Sequence, residues 1–186
     1  MRERSEKDKM LSGLDYRASD PELVLERRHA RRLVWKYAAL DPAREAERRA
    51  LLERLLGHVG ERVVIESPLH CDYGWNISLD ADVYLNAFCV LLDCAPIMVG
   101  AGAQIGPSVQ LTTATHPVDP AARAAGLESA APITIGSNVW IAANVVVGPG
   151  VTIGDDSVIG AGSVVLHDVP ARVLVVGSPA RVVRSL

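Results

Sequence analysis

From residue 135 a branched apolar residue returns at every sixth position: Ile135, Ile141, Val147, Ile153, Ile159 and Val165. Gly or Ala follows most of them, at Gly136, Ala142, Gly148, Gly154 and Gly160. A second beat falls four residues after each start, at Val139, Val145, Val151, Ser157, Ser163 and Val169. Helices repeat near 3.6 residues and strands at 2, so a period of six fits neither alone. It fits a coiled prism of short strands, in which each hexapeptide forms one wall and turns one corner. The pattern places the apolar residue inward and predicts that the small residue lets the backbone bend.

The same beat runs earlier through Leu79, Leu85, Leu91 and Ile97, slips by two, and resumes at Val99, Ile105 and Leu111. Residues 116–132, HPVDPAARAAGLESAAP, fall outside it. A segment thrown out of a coil is expected to carry function. Ahead of the coil, Asp20-Pro21 is a helix start, with Asp as cap and Pro at the first helical position. Leu23, Leu33, Val34, Tyr37 and Leu40 predict a helix ending near Leu40. Asp41-Pro42 repeats the start signal, and Leu51, Leu52, Leu55 and Leu56 predict a second amphipathic helix stopped by Gly57. Residues 1–19 read as a polar stretch interrupted at Met10, Leu11 and Leu14. The expected organisation is an N-terminal helical segment (1–62), a coil domain (63–176) with an excursion at 116–132, and a tail (177–186). A coil needs capped ends, and the helical segment is expected to supply one cap.

Composition supports a narrow coil. Of 186 residues 49% are hydrophobic, yet only one is Phe, so branched aliphatics must fill the interior. No apolar run approaches the roughly 20 residues that cross a bilayer. The charged opening MRERSEKDKM has no apolar segment behind it, so a cytoplasmic protein with no membrane partner is expected. Cys71, Cys89 and Cys94 fit no metal spacing and read as buried, reduced thiols. Residues 1–62 hold 15 of the 19 Lys and Arg but also 12 of the 22 acids. Basic residues so interleaved with Glu read as solvated helix faces, with no nucleic-acid partner.

Several segments together resemble the hexapeptide-repeat acetyltransferases of the maltose and galactoside O-acetyltransferase family and their nodulation relatives. They are GLDYRASDPEL at 13–23, CDYGWNI at 71–77, LLDCAPI at 91–97, TATHPVDPAAR at 113–123, the run 133–165, and VGSPARVV at 176–183. The resemblance implies a mainly β fold, a left-handed parallel β-helix with an N-terminal α-helical segment and a protruding loop. It also implies a homotrimer with active sites between subunits. The implied reaction moves acetyl from acetyl-CoA to a hydroxyl, usually of a sugar.

A sugar hydroxyl is a poor nucleophile, and a neutral imidazole is matched to taking its proton near pH 7. Of five His, His116 opens the excursion and matches the family's general base. The resemblance makes the backbone N–H of Ala143 the donor to the developing oxyanion and places Asn86 near the acceptor hydroxyl. It puts Asp72 and Asp93 along the sugar site. It sets Ala143, Ala161, Leu166, His167, Arg181 and Arg184 along acetyl-CoA, with the arginines near its phosphates. Glu128, in the excursion, is a candidate to orient His116. Tyr16, Arg17 and Trp75 could shape the pocket. Leu166-His167 replaces the Thr-Lys of galactoside enzymes, removing a fixed positive charge. Cys94 and Ala18 stand where those enzymes carry Asp, which points away from galactosides, and the LDCAP and TATHPVDP segments look closer to the maltose type. No metal site is expected, because a zinc enzyme on such a coil needs three imidazoles together. An acceptor that is not a sugar, or a non-catalytic scaffold, are the competing readings.

Overall fold

The computed structural model describes residues 4–186; residues 1–3, the start of the charged leader, lie outside the described residues. Short strands of the hexapeptide region stack in parallel into three faces. The first face runs through His58–Val59, Ile77–Leu79, Ile97–Val99, Ile133–Ile135 and Thr152–Ile153. Val64–Ile65, Tyr84–Leu85, Gln104–Ile105, Trp140–Ile141, Val158–Ile159 and Val173–Val176 form the second. The third holds Leu69–Cys71, Cys89–Leu92, Gln110–Thr112, Val146–Val147 and Val164–Val165. The coil therefore begins at His58, ahead of the expected start at residue 63. The last segment does not trail off: Arg181–Ser185 folds back antiparallel on Val173–Val176.

The sixfold beat is the core. Ile135, Ile141, Val147, Ile153, Ile159 and Val165 are all buried, and so are Val139, Val145 and Val151. Ser157 and Ser163 occupy the same inward column, and each satisfies its hydroxyl on the backbone. Ser157 Oγ donates to Pro170 O (2.8 Å) and Ser163 Oγ donates to Gly160 O (2.6 Å). The slip by two has a simple cause. Ile97 and Val99 both point inward from one three-residue strand, with Met98 outward between them. Ile77–Leu79 and Ile133–Ile135 do the same.

The corners turn elsewhere than the sequence suggests. Positive φ falls three residues after each inward apolar residue, at Asn138 (55°), Asn144 (57°), Gly150 (79°), Asp156 (58°) and Gly162 (71°). Asn, Asp and Gly tolerate this left-handed region best. The small residue directly after the apolar one serves close approach of coils instead. A Cβ on Gly106 would lie 2.9 Å from Ala143 N of the next turn.

Among the described residues four helices accompany the coil: α1 (Glu6–Leu11), α2 (Pro21–Ala39), α3 (Glu45–Leu55) and α4 (Pro120–Ala124). Asp20 caps α2 by accepting from Glu22 N (3.0 Å), as its sequence indicates. The second Asp-Pro behaves differently. Asp41 Oδ1 accepts from Ala43 N in a turn, and α3 begins only at Glu45, without a side-chain cap. Within residues 1–19 lies α1, closed by a reciprocal cap between Ser5 and Asp8. Met10 of α1 is fully buried with Tyr16, Leu23, Tyr73, Cys94, Ala95 and Ala130 in a second, smaller core. Helices α2 and α3 join the main core through Ala30, Leu33, Tyr37, Leu52 and Leu55.

Candidate active site

The excursion has its own structure. Ala114–Thr115 leaves the third face and pairs antiparallel with Leu127–Ala130, Ala114 opposite Ala130 and Thr115 opposite Ser129. Between them lies α4, capped by Asp119 accepting from Ala122 N (2.8 Å). Buried Thr113 closes the root: its Oγ1 donates to Leu92 O (2.6 Å) and accepts from Ala95 N (3.0 Å). His116 follows at once and is exposed. Among the described residues its imidazole makes no hydrogen bond, and none joins it to Glu128. The Glu128 carboxylate instead accepts from the Tyr16 hydroxyl at 3.1 Å.

The expected site residues divide between two edges of the third face. Asp72, Asp93 and His116 belong to the corner after that face, as do Leu166 and His167 further along the coil. Asn86, Ala143 and Ala161 belong to the corner before it. Asn86 Oδ1 accepts from Ala87 N at 2.8 Å, and its Nδ2 has no partner among the described residues. The N–H of Ala143 also makes no hydrogen bond among them, although Ala142 N and Asn144 N beside it both do. The wall between the two corners is roughly five extended residues, or about 15 Å. A hydroxyl docked at one edge therefore lies about one wall away from the other edge of the same chain. The structure thus brings Asp72, Asp93 and His116 to one edge and leaves Asn86 and Ala143 on another.

Asp72 and Asp93 stand differently. Asp93 has no solvent exposure. Its Oδ1 accepts from Asp72 N (3.0 Å) and Tyr73 N (2.8 Å), while its Oδ2 is buried without a partner among the described residues. Burial pushes its carboxyl up to about 6, against the pull of backbone N–H groups, that of Tyr73 first among them. Asp72 is half-buried, and its Oδ2 accepts weakly from Cys94 Sγ at 3.7 Å. Burial also pushes the thiols of Cys94 and Cys89 up, to about 12 and about 11, and that of Cys71 upward as well. All three are neutral near pH 7. Among the described residues no cluster of three His, Cys, Asp or Glu forms a metal-ligand set.

At the far end of the coil Leu166, His167 and Arg181 meet around a cavity of about 280 Å³, with Asp168 and Val182 beside them. Arg184 pairs in register with Leu174 next to it, and Ala161 is exposed one corner away. Sequence reasoning did not find the supports of the acceptor corner. Arg27 donates to the Tyr73 hydroxyl (2.6 Å) and to Ala18 O (2.5 Å). Glu26 accepts from Trp75 Nε1 (3.1 Å) and Lys7 Nζ (2.5 Å). Their spacing along the chain carries no signal of this; only the Ser5-to-Asp8 cap could have announced α1.

A triangular coil of hexapeptides, closed by helices and interrupted by one built loop with an open imidazole, defines the class of hexapeptide-repeat transferases. The model for bacterial transferase hexapeptides (six repeats) matches residues 132–167, and the maltose acetyltransferase hexapeptide capping motif matches residues 9–60. Nodulation protein L of Rhizobium meliloti is 47% identical over 179 residues, covering 96% of this chain and 98% of that protein. A maltose O-acetyltransferase structure from Clostridium difficile superposes with a TM-score of 0.97 at 40% identity, over 100% of this chain and 99% of that one. A hexapeptide-repeat acetyltransferase from Vibrio cholerae, solved with acetyl coenzyme A, gives 0.90 at 43% identity, over 98% and 99%. The chain belongs to the maltose and galactoside O-acetyltransferase family of hexapeptide-repeat acetyltransferases, and its coil is the left-handed β-helix. No described helix is long and apolar enough to cross a membrane.

Proposed function

We propose that this chain moves an acetyl group from acetyl-CoA to a hydroxyl of a sugar, with His116 as general base. The observation that carries this reading is a pair of unspent edges. One bears an open imidazole; the other bears two donors without partners, Asn86 Nδ2 and Ala143 N–H. The imidazole takes the proton of the attacking hydroxyl. The Ala143 N–H points its dipole at the oxygen that gains charge as the thioester is attacked, an interaction that strengthens toward the transition state. Two copies set edge to edge would close the gap, so the reading includes a homotrimer with sites between subunits.

Acetyl transfer is direct, in a ternary complex. The three thiols are buried and held neutral, so none offers a thiolate for a covalent intermediate. Asp72 is exposed enough to accept from sugar hydroxyls. Asp93 acts through it, fixing the 72–73 backbone from beneath. Ala143 and Ala161 leave room for the pantetheine arm along their corner. Leu166, His167, Arg181 and Arg184 receive the nucleotide end, where the arginines pair with phosphate.

The test is thiol release from acetyl-CoA across a panel of sugars, other alcohols and hydroxylated antibiotics. Sugars should release thiol fastest. His116→Ala should lower kcat by about 10²- to 10⁴-fold, the usual contribution of a general base, with the assembly intact by light scattering. Near-full turnover in that variant rejects the base, and no release with any acceptor rejects the enzyme.

A further inference from the structure

The N-terminal arm does more than close the coil. Tyr16–Arg17 is a strand, antiparallel to Leu127–Ala130, with Tyr16 opposite Glu128 and Arg17 opposite Leu127. Leu127–Ala130 in turn pairs with Ala114–Thr115, the strand that delivers His116. Three segments far apart in sequence thus form one small sheet, and the N-terminal strand is an outer member of it.

Side chains fasten the arm to the excursion at two further points. The Tyr16 hydroxyl donates to Glu128, and the Arg17 guanidinium donates to Ala125 O just past α4. Continuing the register by one residue sets Glu128 opposite His116 itself. The arm is held in turn by α1, whose Glu6 accepts from Arg17 N at 2.5 Å, and by the fully buried ring of Tyr16 in the smaller core. Without the arm, the excursion would be tied to the molecule only through its two roots, and an exposed two-stranded ribbon is marginal by itself.

We infer that the strand Tyr16–Arg17 is a strap that positions the His116 loop, and that Tyr16 and Arg17 are positioning residues for acetyl transfer. The inference rests on His116 as the base. A loop left free spends less time with the imidazole in line with the acceptor hydroxyl, so turnover falls while acetyl-CoA, bound by other corners, is held as before.

The experiment uses Arg17→Ala and Tyr16→Phe in the full chain. Hydrogen exchange and steady-state kinetics are both read. Exchange should quicken at amides of 114–116 and 127–130 and stay unchanged in the coil at 133–165. The kcat should fall on the order of 10- to 100-fold, with KM for acetyl-CoA within about twofold, as expected when positioning alone is lost. Arg17 is exposed, so Arg17→Ala leaves the core intact, and Arg17→Lys should restore part of the rate. Unchanged loop exchange overturns the inference. So does a loop that exchanges faster while kcat stays at wild type. His116→Ala separates the two claims: full turnover there removes the base assignment, whereas loop exchange still reports on the strap.

Discussion

Asp93 shows how one buried carboxylate can support a half-buried neighbour, Asp72. Its Oδ1 holds two backbone N–H groups, and its Oδ2 faces no donor, so ionisation there is penalised. Its folded value, about 6, lies above the ordinary carboxylate range. A raised carboxyl binds its proton more tightly folded than unfolded. Stability from this group is therefore fully present below about pH 4 and is lost as pH rises toward 6. Asp93→Asn keeps an acceptor for both N–H groups and removes the charge. Urea midpoints should show the variant gaining on the parent between pH 4 and 7, by something on the order of 3 kcal/mol. A gap that does not change with pH would mean the carboxyl titrates normally. Residue chemistry of this kind was only partly legible. The identity of His116, Asp72 and Asn86 as candidates came from their segments. That Asp93 is sealed off, and that Glu128 answers Tyr16, depends on segments whose sequence separation hides their contact.

At the level of elements, the sixfold beat made the coil legible, because inward positions recur with no exception from Ile133 to Val165. The corners are less legible: glycine after each apolar residue reads as the bend, but φ is positive two residues further on, where Asn, Asp or Gly stands. The glycines answer instead to the spacing between turns. Gly106→Ala should therefore cost about 1–3 kcal/mol through overpacking, since its new methyl meets Ala142 C and Ala143 N at 2.9 Å. It should also slow turnover by displacing the Ala143 N–H. Thermal midpoint and kcat both falling, with circular dichroism unchanged, is the expected result. Wild-type values would mean that the turns can part freely. Helix α1 and the strand Tyr16–Arg17 are illegible in the sequence for a different reason. Six and two residues are too short for periodicity, and only tertiary contact makes such pieces fold.

For the whole molecule, the proposed function joins the two half-furnished edges across copies of the chain. If His116 works with the Asn86 of a neighbouring copy, each site draws on two chains. Co-expressing His116→Ala with Asn86→Ala should then rebuild roughly a quarter of sites by random assortment around a threefold ring. Measured turnover well above either variant alone is the expected outcome, and light scattering should give three times the 19.9 kDa chain mass. No recovery would place the whole site within one chain. A last consequence follows from how the turns are paired. Leu79 sits on Val99, 20 residues on; Ile135 on Ile153, 18 on; Ile159 on Val175, 16 on. Even across the ejected loop, Ile105 sits on Ile141, 36 on. Every step is even, because a wall can shed or gain residues only in twos without turning its lining inside out. One alanine inserted between Trp140 and Ile141 should unfold the protein, whereas two should leave it soluble and compact by size exclusion. The molecule obeys a rule of parity, and its permitted lengths are quantised by the pleat.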